Sequence, residues 1–367
     1  MRMIVKSLFA GSGLLLMTVM TMFTGCKHDI QQQQGVYAHE VSELDLADES
    51  RELIEPRIVD IEPIGAHDLI TIDNYLFFLT YDNGGQLKVY DIDSGREIAS
   101  LCAKGRATNE FQAQLQLGAR QIYRRNGEIL LPLLDHETVK EVNITQSIAK
   151  RTTVINDTVS GIRSFYGDMS LIDNDLNKRF VFLKPRVSNS RITEGPKCYI
   201  QEPDKEKTDI TVFNAMVQGD DDMSVYSQYL GGLYKHPDRN IMVKPVTNMN
   251  YLLFFDLDRN RQFAIHQKGT RSYDDMVITG ENYDPTGGIC FGDGAVSADA
   301  YYVIYLSNTS QEPDSPVKNE ILKFDWEGKL LGGVKVAQPI HRIAYNESRK
   351  MLYALNLAEE KVYSIEF

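Results

Sequence analysis

Residues 67–102 read HDLITIDNYLFFLTYDNGGQLKVYDIDSGREIASLC. Short runs of Leu, Ile, Val, Phe and Tyr alternate here with turns of Asp, Asn and Gly, and no long apolar period of 3.6 residues is present. This texture is typical of an all-β protein. It predicts one four-stranded unit, with strands at His67–Ile72, Tyr75–Thr80, Leu87–Asp91 and Glu97–Cys102.

The same pattern recurs along the chain as far as Phe367. Five further units begin near Arg120, Asp168, Leu233, Asp293 and His341. Repeats of about 30 to 70 residues with four strands each are typical of propeller blades. The sequence therefore predicts a six-bladed β-propeller with four-stranded blades. Two β-sandwiches in tandem are the alternative, but they explain neither the constant turn chemistry nor the incomplete last unit.

The last unit is one strand short. It contains predicted strands only at His341–Tyr345, Met351–Asn356 and Lys361–Phe367. The extended segment Arg57–Ile61 precedes the first blade, and we expect it to supply the missing fourth strand. Closure of this kind pairs sheet edges that an open array would expose.

The start of the chain has the order of a secretory leader. Arg2 and Lys6 precede an apolar run, Leu8–Met22, and Gly25 stands directly before Cys26. The pattern resembles a bacterial lipoprotein signal, in which the leader is removed and Cys26 carries the lipid. An N-terminal transmembrane anchor is the alternative, because the apolar run approaches spanning length.

This interpretation divides the chain into a signal peptide (1–25), a lipidated cysteine with a flexible tether (26–52) and the propeller (53–367). Gln31–Gln34 and the acidic residues that follow them favour the tether, since such a composition cannot support a core. No Asp follows Cys26 directly, which disfavours retention in the inner membrane. We therefore expect an outer-membrane lipoprotein of the cell envelope, periplasmic or surface-exposed, that contacts the membrane through its lipid anchor.

Composition limits the classes of partner. The chain has 43% hydrophobic and 25% charged residues, as in ordinary folded proteins, and a formal net charge of −12. An acidic surface repels nucleic acid, so we expect no nucleic-acid partner. Cys102, Cys198 and Cys290 are widely spaced without a C-x-x-C pair, which predicts three buried thiols; one disulfide with one free thiol is the alternative.

Two motifs resemble those of a known family. Gly105-Arg106-Ala107-Thr108-Asn109-Glu110-Phe111 resembles the Gly-Arg-Gly-Pro-x-Glu-Phe signature of six-bladed, TolB-like propeller lipoproteins of the Bacteroidetes type. The resemblance extends from Cys26 to Phe367 and implies the fold more strongly than a function. Asp157-Thr158-Val159 resembles the acceptor site for O-linked glycans in that phylum, which makes Thr158 a candidate for modification.

Five long segments are predicted to lie on one face of the propeller. In a four-stranded blade, the connections between blades share a face with the loops between second and third strands. The long segments of these two kinds are 104–116, 186–197, 217–230, 268–289 and 307–319. Long loops in compact domains are usually functional. We therefore predict a binding surface that includes Arg106, Arg186, Arg191, Tyr226, Tyr229, Arg271, Tyr273 and Tyr283.

A second candidate site lies where the innermost strands begin. Counting back six residues from each first turn gives one equivalent position per blade, namely Asp68, Arg120, Asp168, Gly232, Asp293 and His341. These positions, together with His67, predict a polar pocket at the axial mouth. Asp68, Asp168 and Asp293 are candidate ligands for a divalent ion such as calcium, and a metal-free pocket is the alternative.

Catalytic signatures are missing from the sequence: it has no Gly-x-Ser-x-Gly elbow, His-Glu-x-x-His motif or Gly-rich phosphate loop. We therefore predict a membrane-tethered binding module without a cofactor, which recognises a protein or glycan through the long-loop face. The alternative is a metal-dependent hydrolase or lyase of the propeller lactonase type, with its site in the axial mouth. That alternative requires Asp68, Asp168, Asp293 and His341 to converge on one ion or substrate.

Overall fold

The computed structural model describes residues 37–46, 51–117, 119–160, 167–188, 191–214, 229–270, 272–274, 291–306 and 319–367. Six sheets with four antiparallel strands each follow one another along these ranges. The predicted six-bladed β-propeller is confirmed. The first strands of adjacent blades contact each other around the axis, and later strands lie progressively outward.

The strand bounds of blades 1 to 3 follow chain order. Blade 1 contains Ala66–Ile72, Tyr75–Thr80, Leu87–Asp91 and Glu97–Leu101. Blade 2 contains Tyr123–Arg125, Glu128–Asp135, Thr138–Asn143 and Ile155–Ser160. Blade 3 contains Gly167–Leu171, Arg179–Leu183, Lys197–Gln201 and Thr208–Ile210. A separate hairpin, Arg186–Ser188 with Arg191–Glu194, lies between the second and third strands of blade 3.

Blades 4 to 6 complete the ring. Blade 4 contains Tyr234–Lys235, Ile241–Val246, Tyr251–Asp256 and Arg261–Gln267. Blade 5 contains Phe291–Val296, Tyr301–Leu306, Asn319–Phe324 and Leu330–Val336. Blade 6 contains Arg342–Asn346, Met351–Asn356 and Lys361–Ile365, and its fourth strand is Arg57–Val59. Antiparallel pairing of Val59 with Val362 and of Arg57 with Ser364 confirms the predicted closure.

One α-helix, which the sequence did not predict, interrupts the β architecture of the described residues. Helix α1 (Ile144–Lys150) connects the third and fourth strands of blade 2. The side chain of Asn143 caps it by accepting the N–H of Gln146 at 3.0 Å, and Arg151 ends it in the left-handed conformation. The helix packs because Ile144 is fully buried between blades 1 and 2. Two short 3₁₀ turns, Ile172–Asn174 and Thr247–Met249, are also present.

The core is divided among the blade interfaces. The described residues contain six hydrophobic clusters, and each lies between two adjacent blades. Phe180 of blade 3 packs against Phe255 of blade 4 at 4.9 Å, for example, and Tyr302 of blade 5 stacks on Tyr345 of blade 6 at 5.0 Å. Both faces of the blades are thus covered by neighbours, which explains why the second strands are almost continuously apolar.

Part of the predicted tether is folded against the propeller. Glu40–Leu44 adds a fifth strand to blade 4, parallel to Arg261–Gln267, and Leu53–Ile54 adds a fifth strand to blade 5. The prediction of a flexible tether over residues 26–52 is therefore wrong for residues 37–46 and 51–52. The physical reason is the apolar residues among the charges, because Leu44 and Leu46 pack on the cluster between blades 4 and 5.

We call residues 37–46 and 51–54 the N-terminal strap. At its beginning, Tyr37 forms an antiparallel bridge with Phe213, beyond the last strand of blade 3. Near its end, Arg51 donates to Glu320 of blade 5 at 3.0 Å, and both side chains are buried. The strap therefore crosses the outer edges of blades 4 and 5 before the chain enters blade 6 as Arg57–Val59, so that paired backbone covers edges that would otherwise be exposed.

The leader and Cys26 lie outside the described residues. Within the described part of the chain, none of the helices has the length and apolar character that crossing a bilayer requires.

Candidate functional site at the axial mouth

A cavity of about 430 Å³ opens on the propeller axis where the first strands begin. Five of the six residues that were selected by counting back from the first turns line this cavity, namely Asp68, Arg120, Asp168, Gly232 and Asp293. His67 lines the cavity as well. We call this cavity the axial mouth.

In blade 6 the structure places Arg342 in the axial mouth instead of His341. His341 is exposed, and its Nδ1 accepts the N–H of Leu357 at 3.1 Å. Successive side chains of a strand point to opposite faces, so counting selected the neighbour of the residue that faces the axis.

Arg120 forms the floor of the axial mouth. Its Nη2 lies 3.1 Å from Asp68 Oδ2 and its Nη1 lies 2.9 Å from Asp293 Oδ1. The guanidinium also lies over the ring of Tyr234, 5.3 Å from its centroid, and the Tyr234 hydroxyl donates to Asp293 Oδ1 at 2.7 Å. Four blades therefore contribute one side chain each to a connected polar cluster. We call Asp68, Arg120, Tyr234 and Asp293 the axial cluster.

The remaining carboxylate oxygens of the axial cluster accept backbone N–H groups. Asp68 Oδ1 accepts from Leu69 and Asp293 Oδ2 accepts from Ile343, both at 2.9 Å. Burial raises the pKa of Asp68, and Arg120 opposes this shift. Burial alone would lower the pKa of Arg120, but Asp293 and Asp68 raise it above its ordinary value. The cluster is thus fully hydrogen-bonded and held by a permanent cation.

A second cavity of about 260 Å³ lies toward the opposite face. It is lined by the ends of the first strands and the turns that follow them, including Asp73, Asn174 and Glu347. Arg120 and Tyr234 line both cavities. The axial cluster therefore divides the central channel into an upper mouth and a lower cavity.

Asp168 has a partner that the sequence analysis missed. Lys244, in the second strand of blade 4, is fully buried, and its Nζ donates to Asp168 Oδ2 and to the carbonyl of Gly231, both at 2.7 Å. Burial lowers the pKa of Lys244, and Asp168 opposes this shift. The available signal was the charge itself, because Lys244 is the one charged residue in the otherwise apolar strand Ile241–Val246.

Two further cations line the axial mouth. Arg342 Nη1 donates to the carbonyl of His341 at 2.9 Å, whereas its buried Nε makes no hydrogen bond and lies 3.9 Å from Asp68 Oδ1. Lys184 has neither a hydrogen-bond partner nor an ion-pair partner among the described residues. Lys184 follows the second strand of blade 3 and Arg342 begins blade 6, so the two cations approach the mouth from opposite sides of the ring.

The metal-ligand prediction finds no support in this geometry. Arg120 pairs with both Asp68 and Asp293, while Lys244 pairs with Asp168. Within the described ranges, no three His, Cys, Asp or Glu side chains are close enough together to hold a metal ion. With Lys184 and Arg342, four cations surround three carboxylates, a formal charge of +1 in a protein of net charge −12.

An aromatic residue that the sequence analysis did not select stands beside the mouth. Tyr81 is 65% exposed, and its ring lies 4.6 Å from that of His67. Burial and the nearby Arg342 lower the pKa of His67 to about 4, so this imidazole is neutral at pH 7. Ile64, which is 74% exposed, precedes Gly65, whose carbonyl accepts the N–H of Tyr81. The rim of the mouth at blade 1 therefore carries apolar surface exposed to solvent.

The long-loop predictions have mixed outcomes. Tyr229 and Tyr273 are not surface residues, since both are fully buried, stack on each other at 6.3 Å and pack edge-on against Phe213. Their aromatic rings fill the core between blades 3 and 4 instead of offering contacts to a partner. Tyr226, Arg271 and Tyr283 lie outside the described residues.

The arginines of the long-loop face have clearer positions. Arg106 is exposed, and Arg186 lies 3.4 Å from Glu194 within the hairpin of blade 3. Arg191 begins the second strand of that hairpin. The hairpin and residues 104–116 extend from the same face as the axial mouth, because a loop between second and third strands and a connection between blades end on that face.

The signature-like segment 105–111 is a structural turn. The Glu110 side chain accepts the N–H of Ala107 at 2.8 Å, and the N–H of Gly105 donates to the carbonyl of Phe111 at 2.9 Å. Phe111 is fully buried between blades 1 and 2, with Lys140 Nζ 4.6 Å above its ring. The Glu and Phe of this motif therefore fold the connection between the blades, whereas Arg106 is exposed to solvent.

The remaining predicted residues lie away from the mouth. Thr158 is exposed on the outermost strand of blade 2, Ile155–Ser160, in a position open to modification. Cys102 and Cys198 are free and buried, as predicted, and burial raises the pKa of both thiols. Cys290 lies outside the described residues.

Comparison with known proteins supports the fold. A crystal structure of a DUF4221 family member from Bacteroides vulgatus is 12% identical, with 86% of this chain and 96% of that chain covered and a TM-score of 0.50. The WD40 repeats of RRP9 are 9% identical, with 87% and 99% covered and a TM-score of 0.45. A protein of unknown function from Bacteroides caccae is 12% identical, with 74% and 81% covered and a TM-score of 0.40. No protein-family model and no curated protein matches the chain. At these identities the likeness shows the propeller fold alone.

Proposed function

We propose that the protein is an extracytoplasmic binding module, a TolB-like lipoprotein of the Bacteroidetes type held at the outer membrane by a lipid on Cys26. It engages a protein or a glycan through the face that contains the axial mouth. The observation that carries this proposal is the pairing at the mouth. Arg120 pairs with Asp68 and Asp293 and Lys244 pairs with Asp168, while Lys184 and Arg342 line the opening.

This arrangement favours recognition over catalysis. A metal-dependent hydrolase or lyase needs carboxylates that are free to coordinate an ion, and here each carboxylate already has a cation and hydrogen bonds. His341, the remaining member of the proposed catalytic set, bonds to Leu357 outside the cavity. A rigid floor with charged and aromatic groups around it is instead typical of a preorganised binding surface.

The folded strap changes the expected attachment. The part of the chain that pairs with blades 3 and 4 includes Tyr37 and residues 40–44, which the sequence analysis had assigned to the tether. We expect Cys26→Ala to abolish incorporation of a labelled fatty acid in cells. Retention of the label in that variant would contradict the anchor.

Photo-cross-linking in intact cells tests the binding face. A photoreactive phenylalanine derivative is introduced at position 81, on the mouth rim, or at position 98, on the outermost strand of blade 1, where Ile98 is 39% exposed. We expect one reproducible adduct, identified by mass spectrometry, from position 81 and none from position 98. Equal labelling at both positions, or no adduct from position 81, would overturn the proposal.

A further inference from the structure

We infer that the axial mouth binds the acidic sugar at the end of a glycan, with the sugar carboxylate held between Lys184 and Arg342. The inference rests on the proposed function, since it assumes that the mouth face is the binding face. It specifies the chemistry of the ligand: one negative charge, several hydroxyl groups and a ring with an apolar face.

The charge of the mouth matches a single carboxylate. The three protein carboxylates are compensated by cations, and the count around the cavity leaves a formal charge of +1. The side chain of Arg342 is 33% exposed and lines the cavity, and Lys184 is unpaired within the described part of the chain. A carboxylate satisfies both groups through charge-assisted hydrogen bonds. A doubly charged phosphate would carry more negative charge than the formal charge of +1 balances, and it would lie close to the negatively charged Asp168 and Asp68.

The lining also provides for hydroxyl groups. Gly167, Gly231, Gly232 and Gly292 line the cavity, so that backbone is accessible there without intervening side chains. Asp168 is partly exposed, with 20% of its side-chain surface accessible, and only its Oδ2 is engaged by Lys244. The other oxygen, Oδ1, remains as a hydrogen-bond acceptor, and its position is fixed because Lys244 holds the carboxylate. Few, fixed polar groups of this kind orient a small ligand in its site.

Tyr81 supplies a surface for the apolar face of a sugar ring. It is 65% exposed although it is aromatic, and the neutral ring of His67 supports it from the cavity side. An exposed aromatic ring beside a polar cavity offers large contact area at low cost in side-chain entropy. Neither a simple dicarboxylate nor an inorganic anion would use this ring.

Calorimetry on the full mature protein in detergent tests the inference, with galacturonate and N-acetylneuraminate as acidic probes and galactose as the neutral one. We expect the acidic sugars to bind and galactose to bind at least about tenfold more weakly. Lys184→Gln and Arg342→Gln should each weaken binding at least about tenfold. The matched control is Lys205→Gln, an exposed lysine in the last turn of blade 3 on the opposite face, which should leave affinity unchanged.

The aromatic contact is tested separately. Tyr81→Ala should weaken binding of the acidic sugars about tenfold, whereas Tyr81→Phe, which keeps the ring, should retain it. Succinate binding as tightly as galacturonate, or equal binding of galactose, would overturn the inference. If no acidic sugar binds but position 81 still cross-links to one protein, this inference fails and the proposed binding face stands. If neither occurs, both fail.

Discussion

Arg120, which leads into blade 2, pairs with Asp293 of blade 5 at 2.9 Å and so joins opposite sides of the ring across the axis. The same guanidinium reaches Asp68 of blade 1 and covers the ring of Tyr234 of blade 4. Arg120 itself has a φ of 41°, a conformation that non-glycine residues rarely adopt. Such backbone strain persists when surrounding contacts fix the residue, as the two carboxylates do here.

Replacement of Arg120 by Met should therefore be strongly destabilising. The variant removes the cation that two buried carboxylates share, and we expect a loss of about 3–5 kcal/mol in the free energy of unfolding at pH 7. The deficit should shrink at pH 4, because burial raises the pKa of Asp68 and so favours its protonation in acid. Urea denaturation measures both values.

The matched control for this prediction is Arg124→Met. Arg124 pairs with Asp73 at the surface, where both side chains are at least one-third exposed, and we expect a loss below about 1 kcal/mol. Equal losses from the two variants would show that the axial cluster does not hold the ring.

The blades were predictable from the sequence because their signals are local. Apolar runs and Asp/Asn turns lie within a few residues of each other, and the predicted strand Met351–Asn356 agrees with the structure at both ends. Helix α1 was missed because its seven residues are too short for a clear helical period and Ile144 gains its burial from blade 1. The strap was missed because its charges concealed Leu44 and Leu46, whose packing partners lie in blades 4 and 5, far along the chain.

The site was predictable to within one residue in each blade. Counting from the first turn located Asp68, Asp168 and Asp293 at the mouth, but in blade 6 it selected His341, the neighbour of Arg342, because spacing alone does not fix which face of a strand a residue occupies. Tyr229 and Tyr273 were assigned to the surface because they occur in long connections, and only the tertiary structure shows that they are buried. Loop length indicates a face of the molecule, not the direction of each side chain.

Substitutions at buried and at exposed positions of segment 105–111 should differ in their effect on the free energy of unfolding. Phe111→Ala removes a fully buried ring between blades 1 and 2, and we expect it to cost about 3–5 kcal/mol in unfolding free energy. Arg106→Ala alters an exposed side chain and should change stability by less than about 0.5 kcal/mol. Thermal and urea denaturation of both variants provide the measurement. A large effect of Arg106→Ala would contradict the assignment of this residue to the free surface.

Protonation of His236 should lower the free energy of unfolding in acid. Its buried Nδ1 accepts the N–H groups of Asp238 and Arg239 at 2.9 and 3.1 Å, and burial lowers its pKa from 6.5 to about 4. Below pH 6.5 the unfolded chain therefore binds a proton that the folded chain does not, so the contribution of His236 is present above that pH and is lost as the pH falls toward 4.

The test compares unfolding free energies at pH 7 and pH 4.5. His236→Asn keeps an acceptor without the titration, and we expect it to reduce the acid loss by about 2 kcal/mol relative to the unmodified protein. His136→Asn, at an exposed turn, serves as control and should not alter the acid loss. An unchanged pH dependence in His236→Asn would refute this role.

Replacement of Tyr37 by Phe should stabilise the packing of the strap on the propeller. Its ring is 5% exposed and contacts Phe213 edge-on at 5.9 Å, but its buried hydroxyl has no hydrogen-bond partner among the described residues. An unsatisfied buried hydroxyl costs about 1 kcal/mol or more, so Tyr37→Phe should stabilise the strap by about that amount.

Tyr37→Ala removes the ring and should release the strap, which makes residues 40–46 susceptible to limited proteolysis. Val41→Ala, at a position 41% exposed, is the control and should leave cleavage slow. Faster cleavage in Tyr37→Phe than in the unmodified protein would show that the hydroxyl has a stabilising partner.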